Sequence, residues 1–223
     1  MTDSPKPELN PVTKVNRQPD RGAYDRETID AILGEGYLCH VGYESQHGPV
    51  VLPALYGRSG DSVYFHGSNA AGMFRRSKSD VNVSLTVTLV DGFVLARSLF
   101  HHSMNYRRVV AFGKAEHVTD PAEILHGLKI ITEHCLPGRW EEARQPNNVE
   151  LRQATVYRIE LSAVSAKARS GAPGDEKEDV ELDIWAGVIP ALTRIGEPVP
   201  APNFTAAVGL PMALNSFRRL SDA

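Results

Sequence analysis

The chain is short of several things, and each shortage excludes a class of protein. Of its 223 residues only two are cysteine, Cys39 and Cys135. They stand far apart and outside any Cys-x-x-Cys spacing, so they read as two reduced structural thiols. Charge of one sign is scarce as well: 24 Lys and Arg against 27 Asp and Glu leave a formal net charge of −3. So weak an acidic field does not draw phosphodiester backbones or anionic lipid, which argues against nucleic acid and membrane as partners. No apolar run approaches the ~18 residues that spanning a bilayer requires. The first twenty residues (MTDSPKPELNPVTKVNRQPD) carry four prolines and no apolar core. They make no secretory signal and read as a flexible N-terminal arm, which leaves the cytoplasm as the default location. His-Glu-x-x-His and Gly-x-Ser-x-Gly are both absent, so zinc-protease and serine-hydrolase chemistry lose their usual signatures. His101 and His102 are neighbours; on an extended strand they point to opposite faces and cannot chelate one metal together, and no metal site is expected.

What is present is a globular composition, 42% apolar and 23% charged with 18 Gly and 15 Pro. A chain of this length buries a self-sufficient core. After the arm, Asp25 can cap a short helix whose Ile29, Ile32 and Leu33 form one apolar face, with Gly34 and Gly36 ending it. The period then changes to two. Tyr37, Cys39, Val41 and Tyr43 alternate, and Pro49 to Tyr56 is almost continuously apolar, which suits a strand buried on both sides. Pro53 inside that strand implies a bulge or an edge. Arg58 to Asp61 is a hairpin turn with Ser62 to His66 as the return strand, and Ala70 to Lys78 fits a helix. Val81, Val83, Leu85, Val87 and Leu89 alternate with Asn82, Ser84, Thr86 and Thr88 in the cleanest strand of the chain. Tyr106 to Val118 is another strand. Asp120-Pro121-x-Glu123 opens a helix with the stripe Ile124, Leu128, Ile131 and Cys135. Thr155 to Leu161 is the last clear strand, extending toward Arg169. Residues 170–182 are acidic and turn-rich, an exposed loop, and the rest is a Pro-rich wrap with Trp185. The inventory is mainly β (α+β): six or seven antiparallel strands in a closed or half-closed barrel with peripheral helices. The arm spans 1–20 and a single domain 21–223, its core at about 24–169.

Two segments carry candidate chemistry. Tyr64 to Arg76 runs strand, glycine turn, helix start and paired arginines. Backbone N–H groups around His66, Gly67 and Ser68 can approach an oxyanion, and Arg75 or Arg76 can add a bidentate phosphate contact. An ordinary strand-to-helix turn with a solvated basic end fits the same residues. Leu95 to Arg108 packs side-chain donors and acceptors densely between apolar strands, which suits an aromatic ligand with many hydrogen-bonding edges, or a polar loop at a barrel rim.

In order and spacing these blocks resemble the pyridoxamine 5'-phosphate oxidase-related split barrels that bind flavin mononucleotide (FMN), in the branch with the nitroimidazole-resistance reductases. The likeness lies in Gly36-Tyr37-Leu38, Pro49 to Gly57, Val63 to Ser68 and His102 to Arg107 leading to Val109 and Gly113. Ser165 to Gly171 and Trp185 to Pro190 look like the C-terminal blocks of one subgroup. The resemblance implies a homodimer with FMN in a groove between subunits. It places Val51, Leu52, Pro53, Ala54 and Leu55 along the flavin ring, His66, Gly67 and Ser68 at the phosphate, and Asn105, Tyr106 and Arg107 beside the ribityl chain or ring. Gly72 and Met73 stand where relatives carry Arg or Arg-Lys, so Arg75 or Arg76 is left to hold the phosphate. The expected activity is an FMN-dependent oxidoreductase that takes hydride from a nicotinamide nucleotide, NAD(P)H, and passes it to a small molecule, with His102 as candidate proton donor. A non-catalytic flavin- or haem-binding carrier or sensor is the alternative. Haem and a deazaflavin rank behind FMN as cofactor.

Overall fold

A computed structural model describes residues 10–68 and 80–203, together with Gly209, Pro211 and Leu214. The helix expected over 70–78, with Arg75 and Arg76, lies outside the described residues. Among those described, strands β1 (Gly22–Ala23), β2 (Leu38–Ser45), β3 (Gly48–Ser59), β4 (Ser62–Ser68), β5 (Val81–Leu95), β6 (Ser103–His117), β7 (Ala154–Glu160), β8 (Ala163–Arg169) and β9 (Gly187–Pro190) form one sheet system. The helices are α1 (Arg26–Glu35), α2 (Pro121–Cys135), α3 (Arg139–Glu142) and α4 (Asn148–Gln153). Nine strands exceed the six or seven expected because β1 and β9 are short, and because the strand from Thr155 breaks at Leu161 into β7 and β8.

Six strands close a ring in the order β2, β3, β4, β7, β6, β5 and back to β2, every pairing antiparallel. Two seams in it are thin. β3 meets β4 only from Tyr56 to Ser59, and β6 meets β7 only at Glu116 and His117. The barrel is therefore split. β8 runs along β6 from Tyr106 to Phe112, while β1 and β9 extend the ends.

The alternation read in β5 holds, with Val83, Leu85 and Val87 buried among Val41, Phe65, Val109, Tyr157 and Ile159. α1 plugs the same core. Its cap is as expected, the Asp25 side chain accepting from the Thr28 N–H at 2.8 Å, and Ile29, Ile32 and Leu33 are buried. Each such side chain, taken fully out of water, contributes about 1.5–3 kcal/mol. The helix runs through Gly34 and ends at Gly36. There the buried Tyr56 hydroxyl bonds the Leu33 and Gly36 carbonyls at 2.7 and 2.9 Å, so a core side chain fixes where α1 stops. α2 begins at the Asp120 cap and covers a second cluster of Tyr64, Val118, Ile131 and Val156.

Two expectations are corrected. β3 is not buried on both faces within the chain: Pro49, Val51, Pro53 and Leu55 are exposed, while Leu52 and Ala54 pack on the core. Pro53 does sit at an edge: among the described residues, before Tyr56 the strand has β2 as its one strand partner. The arm is not free along its described part. Thr13 and Val15 are buried, the Val15 N–H donates to the Tyr24 hydroxyl at 2.8 Å, and Lys167 Nζ donates to the Arg17 carbonyl at 2.6 Å.

Candidate functional site

Among the described residues, one cavity lies beside β5 and β6 and another where β6 begins and β8 ends. The first, of about 480 Å³, lies between the end of α1 (Glu35 to Leu38), β5 (Thr88 to Asp91), Arg107 and the segment Ala191 to Thr193 after β9. Its charge pattern comes from an irregularity: the β5–β6 register shifts between Val90 and Gly92, and Asp91 occupies the bulge. A bulge re-aims a side chain, and here Asp91 meets Arg107. The guanidinium donates to Asp91 through Nε at 3.1 Å and Nη2 at 2.7 Å. It also forks onto Glu35, with Nη2 to Oε1 at 2.8 Å and Nη1 to Oε2. These two carboxylates raise the Arg107 pKa further above its already high ordinary value. Arg107, singled out from sequence, thus has its donors occupied within the chain. Its partners were not legible, since one lies 72 residues away and the other depends on the bulge.

The second cavity, of about 570 Å³, is lined by Arg17, Gln18 and Arg21 before the barrel, Phe100 to Ser103, and Arg169 to Gly174 after β8. Leu99 to His101 forms a 3-10 turn, not extended chain, so His101 and His102 line one cavity instead of opposite faces. Ser98 organises the turn. Its carbonyl accepts from the His101 N–H at 3.1 Å and contacts His102 Nδ1 at 3.1 Å. His101 Nε2 instead faces the Glu176 carboxylate at 3.4 Å. Asn105, buried on β6, ties the loop to the wall: its Nδ2 donates to the Gly171 carbonyl at 3.2 Å and its Oδ1 accepts from Arg169. Arg97 anchors the acidic loop further on, its backbone N–H and Nη1 reaching the Asp175 carboxylate at 2.8 and 2.6 Å, and that backbone bond is the chief cause holding the Asp175 pKa below the ordinary value.

The other sequence candidates are scattered between these places. Val51, Pro53 and Leu55 stand on the open face of β3, with Leu52 and Ala54 behind them. His66 lies outward on β4, and the protein packed around its ring lowers its pKa. Gly67 and Ser68 end β4 opposite Thr155 and Ala154. Tyr106 pairs with Val90 and Arg169 across β6. Trp185 is exposed and lies over Gly187, where an added Cβ would meet its ring at 3.0 Å. Among the described residues no cluster of three or more metal-ligating side chains occurs, and no helix is long and apolar enough to cross a membrane.

A six-strand ring with two thin seams, plugged by one helix, defines a flavoprotein-type split β-barrel. The chain belongs to the pyridoxamine 5'-phosphate oxidase family, whose model matches residues 25–168. It is similar to the flavocytochrome Anf3 from Azotobacter vinelandii, with 36% identity, a TM-score of 0.87, and coverage of 95% of this chain and 99% of that one. It is also similar to the FAD and heme binding protein from Mycobacterium smegmatis, with 32% identity, a TM-score of 0.82, and coverage of 88% and 97%. A candidate 5-nitroimidazole antibiotic resistance protein from Bacteroides thetaiotaomicron shares the fold at 24% identity and a TM-score of 0.53, over 66% of this chain and 85% of that one. No curated protein matches.

Proposed function

We propose that this chain is a redox protein that binds a flavin nucleotide and haem and moves electrons between them. The observation that carries the reading is the extent of the likeness. The family model stops at residue 168, while the flavocytochrome relative covers 95% of the chain. The segments outside the family model, Arg17 to Arg21 and Arg169 to Gly174, line the second cavity together with Phe100 to Ser103, which lies within the matched residues. FMN is the nucleotide implied by the general resemblance; the FAD-and-heme relative supports FAD in its place.

The residues fit a flavin at β3. Among the described residues, 48–55 have β2 as their one strand partner, so the other side of the strand carries backbone groups outside any described ladder. Pro49 and Pro53 can donate to no ladder, which assigns the open side to their positions and, by alternation, to the N–H groups of Val51 and Leu55. The exposed Val51 and Leu55 side chains offer an apolar platform beside those donors. A bound flavin supplies one- and two-electron chemistry, and the protein positions it and excludes water. A second copy of this chain, laid over that face, would complete the site as a homodimer. The hydride source in this reading is a nicotinamide nucleotide and the acceptor a small molecule.

The test is spectroscopic. Chromophores extracted from purified protein are identified by mass spectrometry, and the flavin is then reduced anaerobically while the haem bands are followed. Expected are both chromophores and haem reduction after flavin reduction. Protein that carries neither, or haem bands indifferent to the flavin's state, would refute the proposal. Bleaching by reduced nicotinamide separates an enzyme from a carrier.

A further inference from the structure

We propose that the second cavity is the haem site and that His102 Nε2 is the iron ligand. This rests on reading the chain as haem-binding; what it adds is the place and the residues.

The first argument is the tautomer. His102 Nδ1 stands 3.1 Å from the Ser98 carbonyl oxygen, which can only accept. The proton therefore sits on Nδ1, and the Nε2 lone pair of the exposed ring is free. A ring N–H held by a backbone carbonyl is the arrangement that orients a metal-ligating histidine and raises its basicity. His101, beside it, is committed to Glu176 and packs edge-on against Phe100 at 5.2 Å between centroids, which makes it a wall and not a ligand.

The second argument is the unneutralised charge around the cavity. Among the described residues no carboxylate pairs with Arg17 or Arg21, both on the cavity wall, although exposed arginines elsewhere in the chain are mostly paired. Two guanidiniums without carboxylate partners on one wall call for an anionic ligand, and haem brings two propionates. Flavin phosphate is also anionic, but it has no use for a free imidazole lone pair. The third argument is the apolar surface: Phe100, on the cavity wall, is 89% exposed. An aromatic ring so placed suits a macrocycle face.

The experiment titrates full-length protein, purified free of haem, with hemin. The parent is expected to bind one hemin per chain with a shifted Soret band. His102→Ala should weaken binding by at least about tenfold and change the band, as loss of a ligand does. His101→Ala should leave affinity within about twofold. Imidazole added to His102→Gly should restore the parent spectrum, which a merely structural role would not allow. Arg17→Gln with Arg21→Gln should weaken binding while leaving the Soret position unchanged. A His102→Ala protein with parental spectrum and affinity would overturn the assignment while leaving the proposed function standing. A parent that takes up flavin and no hemin would remove the haem half of that function, and this site with it.

Discussion

His134 reaches across from α2 to the end of α1, where its ring nitrogen donates to the Gly36 carbonyl at 2.6 Å and its ring sits 4.8 Å from Tyr56. Burial chiefly lowers its pKa; the Gly36 bond opposes this and the Arg58 charge adds to it. The unfolded chain then binds the proton more readily than the fold does. Stability is full above the unfolded value of about 6.5 and is lost as the pH falls below it toward the lowered folded value. His66 has the same sign. Thermal melts between about pH 5 and 7.5 should show Tm falling on the acid side, and His134→Gln, which keeps a donor, should flatten that slope. Equal slopes in parent and variant would exclude the residue. The example shows what single residues reveal before a structure exists. Asp25 and Asp120 announce their caps because a cap is a local bond. Glu35, Asp91 and His134 announce nothing, because each finds its partner only through the barrel. His101 and His102 depart from expectation for a nearer reason: neighbours point to opposite faces only on a strand, and the chain turns there.

At the level of elements, the alternating part of β5, Val81 to Leu89, and the helix with a cap and stripe, α2, were legible, while the bulge at Asp91 and the strand beyond it were not. β3 was half legible. Its apolar run marks a strand, but whether both faces are covered depends on what lies outside the chain. The break at Leu161 had no signal, since β7 and β8 are both apolar and only their different neighbours separate them. Packing between elements makes a sharp prediction at two glycines. A Cβ on Gly57 would stand 2.5 Å from the Ile130 carbonyl oxygen and 2.7 Å from its carbon, so α2 itself must move away from β3. Gly57→Ala should cost about 1–3 kcal/mol. A Cβ on Gly34, inside α1, meets nothing within 4 Å. Gly34→Ala should raise stability by about 0.5–1 kcal/mol. Chemical denaturation reads both, and equal effects at the two positions would contradict the described contact of α2 with β3.

For the whole molecule, the uncovered side of β3 sets the expected assembly. Val51 and Leu55 are 63% and 43% exposed, and Leu38, which pairs with Leu55, is 41% exposed. A stable interface buries about 800 Å² per partner, and apolar side chains at its centre carry most of the energy. Light scattering should report a dimer for the parent. Val51→Lys places a charge at that centre and should raise the dimer dissociation constant about 100-fold, near 2.7 kcal/mol. A monomeric parent that binds flavin fully would refute the shared site.

The pairing of Gly22 and Ala23 with Lys167 and Ala166 also dictates an order of events in the cell. A ribosome adds about 5–20 residues each second, so the N-terminal segment waits on the order of ten seconds for the strand that receives it. The cleft containing His102 needs residues 17–21 and 169–174 together. It cannot exist before Gly174 has been synthesised, and whatever fills it is loaded after that point.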